Sequence, residues 1–415
     1  MTIRIPLGAW RLSRALVLVA TAIQASACRQ APASAGGPYG DIVAQAVPAI
    51  EKAVGLPFKR PPKIELRTRE QVRQFVLKQL TGTANKHEIA GQSVAYKLLG
   101  MIPDSVDLPS LMTRLLEEQI IGFYDPETKI LYVVQGSPKD EARAIVTHEL
   151  VHALQDQYVN LDSIQKLTSD NDRQSAAQSV FEGEAVYEQV QAMLGPGNIA
   201  IGMPGGWDRV RQSIRDNEAA MPVYSSAPMV VQETLIFPYL SGAEFVRTFR
   251  QREPGRAPFT DLPASTAQII HPDEFFGKRI APTRVSFAPV AGVTPSYVNN
   301  LGEFETRLFL YQQLNNVDDA ARAASGWNGD RYMTFDTPRG PAIAWASVWL
   351  SAADAGRFYA AAQSADSARG SARRGRVVGI SSGLVDGRPV VLMLDTPTGA
   401  SVALSLKDVR LGAER

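Results

Sequence analysis

The 415-residue chain contains one cysteine and four histidines, and both shortages narrow the chemistry that it can carry. A single cysteine excludes a disulfide framework within the chain and a cysteine-ligated zinc site. Any zinc site must therefore be built from histidine and carboxylate side chains. Chemistry that needs a thiol is confined to Cys28.

The chain also lacks an excess of charge of either sign. Its 43 lysines and arginines nearly balance its 42 aspartates and glutamates, which leaves a formal net charge of +1. This balance argues against a nucleic-acid partner and against a polybasic surface for membranes. Beyond the N-terminal region, no segment is apolar enough to span a bilayer. The hydrophobic fraction of 45% is that of a globular protein with a sizeable core.

The N-terminal region has the pattern of a secretory signal peptide. Three arginines precede the short apolar run 15–23, and the sequence ASAC follows at 25–28. A run of this length is too short for a permanent membrane helix, so residues 1–28 are predicted to be a signal. ASAC resembles the lipobox of bacterial lipoproteins, although Ala25 stands where such boxes usually carry leucine.

The lipobox resemblance implies a lipid at Cys28, which would become the new N-terminus of an exported protein and its only membrane attachment. Arg29 follows, rather than the aspartate that retains lipoproteins at the inner membrane. This favours the outer membrane of a bacterial envelope, facing the periplasm. Cleavage after Ala27 with simple secretion is the alternative. Residues 29–40 are small, proline-rich and glycine-rich, and we expect a flexible tether.

The rest of the chain is predicted to form an α+β fold with two domains, 41–290 and 291–415. In the first domain, a strand is expected at 61–68 and a hairpin at 119–134, where two apolar runs flank the turn residues DPET. Thr68 is a predicted helix N-cap. Helices of the first domain, besides the two described below, are predicted at 41–56, 69–80, 89–99, 108–118 and 239–250.

The second domain is predicted to be smaller and also α+β. Its residues indicate no particular function. An amphipathic helix is expected at 301–314, followed by a hairpin that turns at TPRG. Ser351 is predicted to cap the next helix, and a final hairpin turns near Asp386 and Gly387. Three tryptophans are expected in the core: Trp327, Trp345 and Trp349.

The sequence THELVHALQDQ at 147–157 holds two of the four histidines. It lies on a helix predicted to begin with Ser137 as N-cap and Pro138 at the first helical position. Residues four apart share one face of a helix, so both imidazoles of the HExxH sequence can be directed at one ion.

Zinc is bound by neutral imidazole, and His148 and His152 are therefore candidate zinc ligands. Glu149 is rotated by about 100° from His148 and lies beside the ion, within reach of water. HExxH on a helix thus combines two ligands with a general base. The alternative is a helix with two surface histidines and a salt-bridging glutamate.

A catalytic zinc needs a third protein ligand and an open position, and no histidine lies where the metzincin pattern would place one. At this point the sequence resembles the gluzincins, the thermolysin and aminopeptidase type of zinc peptidase. Their third ligand is a glutamate on a second helix, often within E-G-x-A. FEGEA at 181–185 lies on a helix predicted over 172–194. The resemblance implies Glu182 as the third ligand, with Glu184 as the alternative.

The gluzincin resemblance implies a zinc peptidase with one Zn²⁺ per chain, a peptide or protein substrate, and Glu149 as general base. It also implies a zincin-like domain whose small mixed sheet has an edge hairpin beside the cleft. Tyr239 and His271 are candidates for transition-state stabilisation, with ordinary packing as the alternative for both. The stretch around His271, STAQIIHPDEF, resembles uncharacterised bacterial relatives of this peptidase type and is expected to be irregular.

Two other functions are compatible with these motifs. One is a non-catalytic zinc-binding envelope lipoprotein, against which the presence of Glu149 argues because a structural site needs no base. The other is a zinc hydrolase that acts on a non-peptide bond. Asp156 follows His152 by four and either supports a ligand or ends an exposed polar helix. His87 is expected at the surface.

Overall fold

The computed structural model describes residues 39–80, 83–119, 122–165, 170–194, 206–370 and 374–414. Over these ranges the chain is an α+β protein, as predicted. None of the described helices combines the length and apolarity needed to cross a membrane. The predicted signal with Cys28, and nearly all of the predicted tether, lie outside the described residues.

Helices make up most of the described chain. They are α1 Gly40–Val54, α2 Arg69–Leu80, α3 Thr83–Leu98, α4 Leu108–Gln119, α5 Lys139–Gln155, α6 Leu161–Gln165, α7 Asn171–Leu194, α8 Gly206–Ala219, α9 Pro222–Ser226, α10 Met229–Arg252, α11 Thr266–Ile270, α12 Pro272–Phe276, α13 Gly302–Leu314, α14 Val317–Ala324 and α15 Ala352–Ala368. The strands are β1 Lys63–Arg67, β2 Gly122–Asp125, β3 Ile130–Val134, β4 Thr283–Phe287, β5 Pro295–Asn299, β6 Trp327–Thr337, β7 Gly340–Trp349, β8 Arg376–Val385, β9 Arg388–Pro397 and β10 Val409–Glu414.

The N-terminal sheet is small and mixed, in the order β1-β3-β2, with β1 parallel to β3 and β2 antiparallel at the edge. The predicted hairpin is therefore confirmed. Its turn is stabilised by the Asp125 carboxylate, which accepts hydrogen bonds from the Glu127 N–H at 3.0 Å and the Thr128 hydroxyl at 2.8 Å. Such local side-chain bonds are why aspartate favours turns.

Helix α5 packs against this hairpin and is enclosed on all sides, since residues 144–155 are all buried. The predicted N-cap is wrong by one residue: Pro138 occupies the cap position and the helix begins at Lys139. The Ser137 hydroxyl instead donates to the Val134 carbonyl at 2.9 Å, which closes the turn between strand and helix. A helix without an exposed face holds its side chains in fixed positions, because no rotamer can move into solvent.

Helices α7 and α10 cross with their backbones in contact at Gly183 and Gly242. A Cβ atom at Gly183 would overlap the Gly242 carbonyl group, and one at Gly242 would overlap the Ser179 carbonyl oxygen. Only glycine permits this approach. This backbone contact fixes the position of α7 along its axis, and its rotation about that axis, at the FEGEA sequence.

The region between α7 and β4 is more helical than predicted. Helix α10 extends from 229 to 252 and continues through Pro238, so the predicted helix at 239–250 was too short. Proline removes one donor and crowds the preceding turn, but residues 235–240 are all buried, and their packing outweighs this loss. The irregular structure expected around HPDEFF is also wrong, because Pro272 opens the short helix α12.

The C-terminal part contains a five-stranded antiparallel sheet in the order β5-β6-β7-β9-β8. Asp386 and Gly387 both have positive φ, 47° and 76°, as a tight two-residue hairpin turn requires. The Ser351 hydroxyl accepts from the Asp354 N–H at 3.2 Å, so the predicted cap is confirmed. The three tryptophans expected in the core are buried. The pair formed by β4 and β10 was not predicted.

One cluster of buried apolar residues runs from α1 to β9 and therefore includes side chains from both sides of residue 290. A buried polar network joins the same parts at the N-terminus of α7. The Asp172 carboxylate accepts from the Thr266 N–H at 2.8 Å and from its hydroxyl at 2.5 Å. The Asp172 N–H donates to Asn300 Oδ1 at 3.0 Å. Burial raises the pKa of Asp172 to about 7, against the hydrogen bonds from Thr266.

We predict that Gly242→Ala destabilises the fold by about 2–4 kcal/mol, because the added methyl group must separate two helix backbones. The control is Gly356→Ala in α15, where an added Cβ meets nothing within 4 Å. That variant should be neutral or more stable by up to about 1 kcal/mol. Urea unfolding followed by circular dichroism measures both; equal stability of the two variants would contradict the contact described.

The raised pKa of Asp172 predicts a specific pH dependence of stability. A carboxyl whose pKa is higher in the folded state contributes stability that is complete below its unfolded pKa and is lost as the pH rises through about 7. Asp172→Asn keeps the acceptor oxygen but cannot ionise. As the pH rises from 4 to 8, the unfolding free energy of the variant relative to that of the wild type should therefore increase by roughly 2–4 kcal/mol. If this difference in unfolding free energy stays constant from pH 4 to 8, the raised pKa of Asp172 is wrong.

Candidate metal centre

Three predicted ligand side chains converge between α5 and α7. His148 Nε2 and His152 Nε2 lie 3.2 Å apart. Glu182 Oε2 is 3.2 Å from the first and 3.3 Å from the second. All three residues are buried, and they form a group whose ligand atoms could hold one metal ion. The sequence placed these atoms on two helices, and the structure brings them together.

The dimensions of this triangle suit a tetrahedral ion. Bonds of about 2.0–2.1 Å from a tetrahedral zinc separate its ligand atoms by about 3.3 Å. The three observed separations of 3.2, 3.2 and 3.3 Å match one face of that tetrahedron. Two imidazoles and one carboxylate are also a common catalytic zinc donor set, and other divalent first-row metals accept the same donors.

Glutamine amides orient both imidazole rings. Gln155 Nε2 donates to the Phe181 carbonyl at 3.2 Å and to Glu184 Oε2 at 2.9 Å. Its amide oxygen must then face His152 Nδ1, 2.9 Å away, so that nitrogen is the donor. When the ring is neutral, it therefore presents its other nitrogen, Nε2, as a lone pair to the centre of the triangle.

The second ring has a similar support, because Gln189 Oε1 lies 3.2 Å from His148 Nδ1. In neutral rings with their hydrogens on Nδ1, both Nε2 lone pairs would face each other and the Glu182 carboxylate. In a dry site these three atoms need a cation among them, either a proton on an imidazole or a metal ion. The arrangement fits a metal ion on this ground.

The electrostatics of the site favour positive charge at the same point. Burial opposes ionisation of Glu182, yet the two imidazoles hold its pKa at about 2. Burial also lowers the pKa of His152, but the carboxylates of Glu182 and Glu149 outweigh it and raise that pKa to about 9. The two carboxylates thus stabilise positive charge on or beside the imidazoles.

Glu149 lies next to the triangle and is anchored to the hairpin. Its Oε2 accepts a hydrogen bond from the Tyr124 N–H of β2 at 2.8 Å. Burial raises the pKa of the Glu149 carboxyl, and a cation held by the triad would act in the opposite sense. One carboxylate oxygen is therefore fixed by the edge strand, beside the ligands of the centre.

Asp156 is buried, so of its two alternatives the exposed helix end is wrong. Its carboxylate is directed towards the hairpin rather than towards His152. It accepts from the Tyr124 hydroxyl at 2.8 Å and pairs with Lys129 at 2.6 Å. The side chain thus ties the end of α5 to the residue whose N–H holds Glu149.

The remaining candidates lie in three different environments. Glu184, the alternative ligand, points away from the triangle and contacts Gln155 and Arg250. Tyr239 is fully buried and its ring stacks on His148, with centroids 6.3 Å apart. His271 pairs with the buried Glu303 at 2.8 Å. Catalytic roles for Tyr239 and His271 stay predictions. His87 is exposed, as expected.

Sequence reasoning missed the residues that support the ligands. Gln155 follows His152 by three and Gln189 follows Glu182 by seven, so helical spacing placed each on the ligand-bearing face. Arg250 and the Tyr124 N–H carried no such signal, because only the fold brings them to the site.

Among the comparisons with known proteins, one match was found, and it lies in the C-terminal part of the chain. Residues 293–402 match a family described as a domain of unknown function (DUF8575). This match begins after the last residue of the metal centre. No curated protein and no solved structure matches the chain.

We predict that the purified chain binds close to one zinc ion and that His148→Ala and Glu182→Gln each abolish stoichiometric binding. Both changes remove one of three converging donors. His87→Ala, which changes an exposed histidine, is the control and should bind as the wild type does. Elemental analysis after dialysis against buffered zinc measures the ratio. Equal zinc content in all four proteins would place the ion elsewhere.

Proposed function

We propose that this chain is a zinc-dependent peptidase of the gluzincin type. The observation that carries the proposal is the convergence of His148, His152 and Glu182 with the carboxylate of Glu149 beside them. A site that only stabilised a fold would have no use for a buried carboxylate that does not bind the ion. The finer fold assignment, a zincin-like domain over 41–290, belongs to the same proposal.

His148, His152 and Glu182 would hold the ion. Zinc in such a site supplies Lewis acidity, which polarises a carbonyl group and acidifies water. Glu149 takes a proton from the water molecule whose oxygen attacks the peptide carbonyl carbon. The same carboxyl then delivers that proton to the amine nitrogen as the C–N bond breaks. The hydrogen bond from the Tyr124 N–H keeps one Glu149 oxygen in place, which leaves the other for the proton.

The position of β2 supports a peptide as substrate. It is the edge strand of its sheet, and the Tyr124 N–H lies 2.8 Å from Glu149 Oε2. Extended peptides commonly bind along the edge strand of a sheet. A peptide bound along β2 would pass close to the proposed general base. Tyr239, which stacks on His148, and His271 stay candidates for stabilising the oxyanion.

We also propose that the protein is exported and anchored by a lipid at Cys28, on the strength of the ASAC sequence. The substrate would then be a peptide or protein of the cell envelope, because the anchor holds the site there.

Digestion of a peptide library, with and without a chelator, tests the activity directly. Cleavage that disappears with the chelator and returns with zinc supports the proposal. A library left intact by the zinc-loaded, full-length protein argues against a peptidase.

We predict that Glu149→Gln retains zinc but lowers kcat on any accepted peptide by about 10²–10⁴-fold, because the amide cannot take a proton. The control is Glu127→Gln in the exposed turn of the hairpin, which should leave kcat within twofold. Zinc content is measured beside the rate. Undiminished hydrolysis by Glu149→Gln would reject the mechanism.

A further inference from the structure

Glu184 is a buried carboxylate that the proposed reaction does not use. It has no exposed surface, and it lies two residues after the ligand Glu182 on α7. Its Oε1 accepts from the Arg250 guanidinium at 2.9 Å, and its Oε2 accepts from Gln155 Nε2 at 2.9 Å. Buried charges are retained where they are paired, and this one is paired on both oxygens.

The bond from Gln155 to Glu184 decides which way the glutamine amide faces. A carboxylate can only accept, so it selects the NH₂ end of the amide. The Phe181 carbonyl, also an acceptor, selects the same end at 3.2 Å. The amide oxygen is thereby left to face His152 Nδ1 at 2.9 Å. An amide turned by 180° would present a donor to Nδ1 and would require the ring hydrogen on Nε2.

We propose that Glu184 is a positioning residue that acts through Gln155 to hold the His152 proton on Nδ1. This inference rests on the proposed metal centre, because a hydrogen on Nε2 would occupy the lone pair that the ion needs. The chain of contacts is continuous: Arg250 to Glu184, Glu184 to Gln155, and Gln155 to His152. Both glutamates of FEGEA then serve the centre, one as a ligand and the other by setting a tautomer.

Arg250 places a positive charge beside the Glu184 carboxyl, 2.9 Å away. Burial raises the pKa of Glu184, and the guanidinium acts against it. Arg250 also pairs with Glu188 at 3.0 Å. Glu188 shares the ion pair but makes no bond to Gln155, so it offers a matched control within the same buried cluster.

The experiment measures the zinc dissociation constant of the full-length protein by competition with a chromophoric chelator. Glu184→Gln presents a donor to Gln155 Nε2, so the Gln155 amide turns and His152 loses its acceptor. Zinc affinity should fall by about ten- to a hundredfold. Glu188→Gln removes the other carboxylate that pairs with Arg250. Zinc affinity of this variant should stay within threefold of the wild type.

A swapped variant separates orientation from packing. In Gln155→Glu with Glu184→Gln, the new carboxylate accepts from His152 Nδ1 and from the new amide, whose oxygen accepts from Arg250. The bond to the Phe181 carbonyl is lost, and the ion pair with Arg250 becomes a hydrogen bond to a neutral amide. The swap should recover zinc affinity to within tenfold of the wild type. In the zinc-loaded protein, the NMR resonance of the His152 Nδ1 hydrogen should lie downfield, as for a hydrogen-bonded proton, in the wild type and the swap, and should move upfield in Glu184→Gln, where the acceptor is lost.

The outcomes distinguish this inference from the proposed function. A wild type that binds no zinc overturns both. A wild type that binds zinc, with Glu184→Gln no weaker than Glu188→Gln, overturns the positioning role alone. If Glu184→Gln does not fold, the swap decides. A folded swap that binds zinc more than a hundredfold more weakly than the wild type overturns the inference, and recovery within tenfold supports it.

Discussion

Three electron-pair donors meet in a buried pocket, and this convergence constrains the structure around them. Two imidazole nitrogens and a carboxylate oxygen lie within 3.3 Å of one another. In water such groups would turn away from each other, but here they are held by helices packed on all sides. A positive charge among them, a proton on His152 or a metal ion, offsets this repulsion.

The close crossing of α7 and α10 maintains this convergence. Gly183 lies between Glu182, a candidate ligand, and the buried Glu184, and its missing side chain lets Gly242 approach. One helix turn therefore carries a candidate ligand, a backbone contact and a buried ion pair. A shift of α7 by an ångström would alter all three, so packing and site geometry are coupled through the glycine.

Some elements of the fold were predictable because their signals are local. The Asp386–Gly387 turn, the Ser351 cap and the hairpin around DPET each depend on residues within a few positions of one another. Helix α10 was predicted too short because Pro238 is a local breaker, whereas its stability comes from distant apolar partners. The pairing of β4 with β10 joins residues far apart in the chain, where no short pattern reports it.

The sequence by itself determined that two imidazoles and a glutamate share one turn of a helix, because residues four apart lie on the same face of any α-helix. It left Glu182 and Glu184 as alternatives, since both lie on one helix and its rotation is set by packing against α10. Only the tertiary structure directed Glu182 to the imidazoles and Glu184 to Arg250 and Gln155. Tertiary contacts also placed the Tyr124 N–H on Glu149, because a backbone donor has the same chemistry at every position until the fold selects one.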